Sequence, residues 1–202
     1  MSPRGRRPAG SPDAREAIVA AARTAFARDG YSTSLRGIAR DAGVDPALVH
    51  HYFPQRAQLF AQAIVVDAQG RSLDLDAVLE RLGSIPAPGL GEGIVRTFLT
   101  TWQDVGPDRF TALVRAAMAE DLARASLHSF VSSQFLVPLI TRHTDDRPDL
   151  RAQLIASQIL GLGLARWVTE VSEIAAADIE LLVALYGPTI QRYATGELPG
   201  GS

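Results

Sequence analysis

Neither cysteine nor lysine occurs among the 202 residues of this chain. Without thiols there is no disulfide and no zinc–thiolate site, so the fold has to be held by its core. Every one of the 20 cationic side chains is an arginine. A guanidinium suits phosphate through its planar fork of donors, although a biased coding composition yields the same usage. Also missing is any apolar run of the roughly 18 uncharged residues that a membrane span needs. The first residues carry no apolar stretch of the signal-peptide kind, and the expectation is a cytoplasmic protein with no membrane partner. No internal repeat or low-complexity tract stands out, and nothing alternates with strand period for long enough to argue for a sheet.

At 47% hydrophobic residues the chain can bury a sizeable core. Its charge is divided unevenly. Residues 1–56 hold nine arginines against five acids, a net of +4, and the remainder holds eleven against seventeen, a net of −6. A basic end on an acidic body points that end towards nucleic acid.

Inside the basic end, Leu35 to Phe53 reads as two short helices joined by a glycine turn. Leu35, Ile38, Ala39 and Ala42 recur at helical intervals and would bury one stripe, with Ser34 or Thr33 as hydroxyl cap. Gly43 ends this helix, because glycine takes up a left-handed backbone at little cost. Asp45 then caps a second helix, Pro46 sits at its first position where a missing N–H costs nothing, and Val44 can staple onto Val49. Val49 and Phe53 point inward; Pro46, Ala47, His50 and His51 share the opposite side. The small Ala39 lets the two helices cross closely. Such a pair can be plain scaffold, but it also has the form of a helix-turn-helix, whose second helix enters the major groove.

The flanks favour the second reading. Ser2 to Pro8 is a basic arm carrying Arg4, Arg6 and Arg7, of the sort that follows phosphates or enters a minor groove. A helix is predicted from about Asp13 to Arg28, with Ile18, Ala21, Ala22, Ala25 and Phe26 as its apolar stripe, Asp13 and Glu16 as a capping box, and Asp29-Gly30-Tyr31 closing it.

The run Arg15-Glu16-Ala17-Ile18 to Phe26, then Gly30-Tyr31, Thr33-Ser34-Leu35-Arg36, Ile38-Ala39, Ala42-Gly43-Val44, His51-Tyr52-Phe53, Arg56 and Leu59-Phe60 resembles the N-terminal domain of TetR/AcrR-type transcriptional regulators. The likeness covers roughly the first 60 residues, and many spaced positions agree together. It implies an all-α protein: an N-terminal three-helix helix-turn-helix DNA-binding domain followed by a C-terminal helical effector-binding and dimerisation domain. The divisions expected are an arm over residues 1–12, a DNA-binding domain over 13–55 and a ligand and dimer domain over 56–202. By the same resemblance Pro46, Ala47 and Leu48 stand where bases are faced, His50 where the family often has a tyrosine, and His51, Tyr52 and Arg56 where phosphate is held. Thr33, Ser34 and Arg36, with Arg40 beside them, would touch the backbone or the groove edge. Asp45 stands at a cap position that often contacts phosphate, which a carboxylate repels. The second helix lacks the bidentate readers Arg, Asn and Gln, leaving sequence preference to thymine-methyl contacts from Ala47 or Leu48, to Arg36, to His50 and to DNA shape.

Beyond Phe60 helices are expected over 56–69, 74–82, 90–104, 108–120, 122–143 with a break at Pro138, 149–172, and 178–196 with a disturbance at Gly187-Pro188. Gly83 to Gly89 reads as a loop. From Leu154 to Val168 the chain is apolar or small around most of a helix, which then has two faces to bury, one against its own core and one against a partner. With the last helix it supplies the expected homodimer interface: Ala156, Leu160, Gly163, Leu164, Val183, Tyr186 and Ile190. An effector pocket is expected among Phe98, Trp102, Phe110, Leu113, Met118, Phe130, Phe135 and Trp167, with His128 as polar handle, although any one aromatic at helical spacing can be ordinary core. Such a lining suits an apolar or amphipathic ligand.

Chemistry finds little foothold. Gly89-Leu90-Gly91-Glu92-Gly93 has only a superficial likeness to a phosphate loop and reads better as a lead into a helix; Gly161-Leu162-Gly163 sits in a helical pattern and permits close packing. His50 and His51 are adjacent and diverge on a helix, and neither His128 nor His143 has a companion at metal-ligand spacing. No Gly-X-Ser-X-Gly elbow is present. No catalytic residue, cofactor or metal is expected. The reading is a ligand-responsive one-component regulator, a repressor that grips a palindromic double-stranded DNA operator as a homodimer and is released by a small effector. The alternative is an all-helical enzyme or carrier for a small apolar molecule.

Overall fold

The computed structural model describes residues 12–29, 32–64, 75–119 and 121–200, and among them no strand occurs. The helices are α1 (Pro12–Asp29), α2 (Leu35–Ala42), α3 (Pro46–Tyr52), α4 (Arg56–Ile64), α5 (Leu75–Gly83), α6 (Leu90–Val105), α7 (Pro107–Ala119), α8 (Asp121–His128), α9 (Val137–Thr141), α10 (Pro148–Gly163), α11 (Ser172–Ala176) and α12 (Ile179–Thr195). π-helical turns join α8 to α9 and extend α10. Two compact units result. One holds α1–α4 with residues 116–127; the other holds α5, α6, residues 107–115 and residues 128–200.

In the first unit α1 packs on α2 and α4, and α3 lies on α2. Ala14, Ile18, Ala22 and Ala25 give α1 its buried stripe, and Ile38 and Ala39 of α2, Val49 of α3, Phe53, and Leu59 and Phe60 of α4 are buried in the same unit. Phe26 stands edge-on to Phe60 with ring centroids 5.1 Å apart. Arg23 donates from Nε to the Ala63 carbonyl at 3.3 Å, and the Arg15 guanidinium lies 5.5 Å from the centre of the Phe53 ring. Truncating a core side chain such as Ile38 removes apolar burial and leaves a cavity, a cost of about 2–5 kcal/mol. α1 starts at Pro12, one residue before the expected cap, so Asp13 lies in the first turn instead of ahead of it. Proline is at home there because the first N–H groups of a helix have no partner to lose.

The second unit is centred on α6 and α12, whose backbones nearly touch. A Cβ placed on Gly91 would strike the Gly187 carbonyl, and one on Gly187 would lie 2.7 Å from Cγ of Glu92. Gly91 is thus part of a helix crossing, as well as standing at the start of α6. Gly163 is likewise needed for close packing, since its missing Cβ leaves room for the Phe110 ring; Gly161 faces open space.

Three expectations on helix continuity are corrected. α12 runs unbroken through Gly187-Pro188. Pro188 and Ala184 are both exposed, so water can satisfy the carbonyl that lacks the proline's N–H. The predicted break at Pro138 appears upstream instead, as the wide turns of Ser129–Leu136. In α register the proline ring would press on the carbonyl four residues back, and the wider register takes up that crowding. The long helix expected to reach residue 172 ends its α register at Gly163, passes through π turns over Leu164–Val168, and turns at Glu170, whose φ is +48°. Arg166 drives this by reaching forward to the carbonyls of Ile174 (2.7 Å) and Ala177 (2.9 Å), which folds α11 back as a separate element.

Below α12 the chain is clamped by two arginines. Arg151, 3% exposed, donates to the Asp146 carbonyl (2.7 Å), the Asp146 carboxylate (2.5 Å) and the Tyr193 carbonyl (2.9 Å). Arg147, held in left-handed backbone at φ +45°, donates to the carbonyls of Leu198 and Pro199, both at 3.0 Å.

Candidate nucleic-acid interface

The turn between α2 and α3 is fixed by local chemistry. Ser34 caps α2 by accepting the Gly37 N–H at 3.4 Å. Gly43 closes that helix at φ +69°, its N–H donating to the Arg40 carbonyl at 3.1 Å while the Val44 N–H reaches the Ala39 carbonyl at 3.0 Å. Two residues on, Asp45 caps α3 by accepting the Ala47 N–H at 2.8 Å, with Pro46 at the first helical position. Val49 and Phe53 are buried, which rolls the opposite flank of α3 outward. Pro46, Ala47, His50 and His51 are exposed, and Leu48 and Tyr52 are half-buried; His51 and Tyr52 meet edge-on with centroids 5.3 Å apart.

Arg36 is exposed on α2 and makes no hydrogen bond or ion pair among the described residues. Arg56 is half-buried, its Nη1 donating to the Thr33 carbonyl at 2.7 Å, so the start of α4 steadies the residue just before the α2 cap. Thr33 is half-buried and Ser34 exposed. Arg4, Arg6 and Arg7 lie outside the described residues.

Beside α2 opens a polar cleft of about 440 Å³, lined by Arg28, Asp29, Ser32, Thr33, Ser34, Arg36, Gly37, Arg40 and Asp41. Arg28 and Asp29, not anticipated at this surface, join it because the last turn of α1 ends there. Their ion pair is 2.6 Å long. The Arg28 hydrogen bond holds the Asp29 carboxyl below its ordinary range, and the same bond raises Arg28. Arg40 pairs with Asp41 at 3.3 Å. Sequence spacing along α2 alone could not have brought in the end of α1.

Of the expected effector residues, four form one aromatic cluster. Phe110 meets Trp102 (5.0 Å), Trp167 (5.2 Å) and Phe98 (5.9 Å), and Phe98 also meets Trp167 (5.6 Å). Leu113 is buried on α7, Phe130 and Phe135 are half-buried on the π turns, and His128 is exposed at the end of α8. Met118 needs correction: it is 77% exposed near the end of α7, among the residues grouped with the first unit, and is no part of the cluster.

The expected interface residues also divide. Val183 and Ile190 are fully buried in the chain's own core and Gly163 is taken up by Phe110, so these three cannot face a partner. Ala156, Leu164 and Tyr186 are half-buried and Leu160 is exposed. Sequence spacing missed Leu181, which lies one turn from Leu185 on α12; the two are 49% and 63% exposed. No group of His, Asp and Glu among the described residues could hold a metal ion. No helix among them is long and apolar enough to cross a membrane.

Residues 18–63 match the family model for bacterial regulatory proteins of the tetR family, and residues 89–194 match that for the tetracyclin repressor-like C-terminal domain. Among solved structures, a TetR-family regulator from Streptomyces coelicolor A3 is 30% identical, with a TM-score of 0.56 over 94% of this chain and 99% of that one. A Rhodococcus sp. protein assigned to the same family is 18% identical, with a TM-score of 0.48 over 92% of this chain and 100% of that one. Among curated proteins no sequence match is found.

Proposed function

Because this chain belongs to the TetR family of bacterial regulatory proteins, we propose that it is a cytoplasmic, ligand-responsive repressor that binds a palindromic operator as a homodimer. The observation that carries the reading is the presentation of α3: a capped helix whose buried Val49 turns Pro46, Ala47, His50 and His51 outward beside the exposed Arg36. A helix so displayed fits the major groove with its first residues towards base edges. Residues 13–55 would read the DNA and residues 56–202 would bind effector and partner.

The partner face is the apolar strip of Leu160, Leu181 and Leu185 with Ala156, Leu164 and Tyr186, on two helices that pack together. A two-fold dimer that reads a palindrome needs its two copies of α3 about 34–36 Å apart, one DNA turn. The effector would be apolar or amphipathic and engage the surroundings of Phe98, Trp102, Phe110 and Trp167. It releases DNA only if it prefers the arrangement that misfits the groove.

The test is a mobility-shift titration with duplex DNA taken from upstream of the chain's own coding sequence. Binding should weaken steeply with salt and fall on replacing His51 and Tyr52 by alanine. No retardation of any duplex, together with turnover of a small apolar substrate, would overturn the reading.

A further inference from the structure

α3 is built without a permanent cation. From Pro46 to Tyr52 the only side chains able to carry positive charge are His50 and His51. Both are exposed in the last turn, and among the described residues neither imidazole takes part in a hydrogen bond or ion pair; the edge-on Tyr52 ring is the neighbour of His51.

The charged groups on the elements around them are accounted for. On α2 these are Arg36, Arg40 and Asp41, the last two paired; on α1 they are Asp13, Arg15, Glu16, Arg23, Arg28 and Asp29, the last two paired. Asp45 sits at the opposite end of α3, capping Ala47, and Arg56 follows on α4 with its bond to Thr33. Among the described residues, then, no charged group pairs with either imidazole.

A duplex brings phosphates, and a nearby anion favours the protonated imidazole. Resting on the regulator reading above, we propose that operator binding takes up protons at His50 and His51, so that affinity for the duplex rises as the medium is acidified. Arginine cannot supply this behaviour, since it stays charged throughout. The sign follows from linkage. A group whose protonation is favoured in the complex contributes affinity that is complete below the range of the free imidazole and is lost as pH rises through the higher range it has when bound.

Fluorescence anisotropy with a labelled duplex from upstream of the coding sequence, read from about pH 5.5 to 8.5 at fixed ionic strength, tests this. In the wild type the association constant should fall by up to about tenfold per pH unit for each histidine involved. The double variant H50Q/H51Q should flatten that slope, whereas Arg36→Ala should bind more weakly at every pH with the slope kept. Calorimetric titration at pH 7 in buffers of different ionisation heat counts the protons directly, a net uptake of less than about one per histidine in the wild type. Tight binding with a flat profile, an unchanged slope in the double variant, or proton uptake near zero in the wild type would overturn the proposal. If no duplex binds at any pH, the regulator reading itself fails, a result distinct from tight binding without a slope.

Discussion

Gln191 of α12 accepts the Gly91 N–H through Oε1 at 2.8 Å and donates from Nε2 to the Ala87 carbonyl at 2.6 Å. One side chain thereby satisfies an orphan donor at the start of α6 from the helix that crosses it. The crossing depends on the hydrogen atom where Gly91 would otherwise bear a Cβ. Gly91→Ala should lower stability by about 1–3 kcal/mol or more, because the obstacle is the backbone at Gly187 and Gln191 and cannot swing aside. Gly37→Ala, whose new Cβ meets nothing closer than 3.7 Å, should instead gain up to about 1 kcal/mol from better helix propensity. Urea titrations of the two variants should move in opposite directions.

Asp45 is required as a cap but is the wrong charge for phosphate. Asp45→Ser keeps an acceptor for the Ala47 N–H and removes the repulsion, so duplex affinity should rise several-fold at low salt. Asp45→Ala should lose about 1 kcal/mol of stability with the cap. Anisotropy beside thermal melting separates the two effects.

Asp146 links stability to acid. The Arg151 hydrogen bond, and after it that of Arg147, holds the carboxyl below its ordinary range against a desolvation penalty that acts the other way. A carboxyl depressed on folding stabilises above its unfolded range, near about pH 4, and that contribution disappears as pH falls through the lower folded value. The urea midpoint of the wild type should therefore decline more steeply below about pH 4 than that of Asp146→Asn. The variant should also be weaker at neutral pH, having lost the negative charge and one of the two oxygens that face Arg151 and Arg147.

Leu185 tests the partner face. A glutamate there would have to be desolvated in the proposed dimer while remaining hydrated in the free chain. Leu185→Glu should shift the sedimentation profile from dimer to monomer, leave the far-ultraviolet dichroism unchanged, and reduce operator affinity because each half-site then binds alone.

The helix-turn-helix was legible because its signals are local. Ser34, Gly43, Asp45 and Pro46 each act on the backbone within four residues, and the bonds they make are those their chemistry requires. Boundaries in the second half were harder for the opposite reason. Arg166 ends the α register of α10 by capping carbonyls eight and eleven residues ahead, and no window of helical periodicity contains that information. Val183 and Leu185 look alike in sequence, yet one is buried and the other exposed, a distinction set by the position of α6 across α12. The arginine-rich arm lies outside the described residues.

The left-handed backbone at Arg147 fastens α10 to residues that follow α12. Its guanidinium grips Leu198 and Pro199 while Arg151, one turn later, grips Tyr193. Segments some 50 positions apart are thereby buckled together, so loosening either side frees the other. Residues 197–199, which look like a trailing end in sequence, work as a fastening for a helix that carries the proposed partner face.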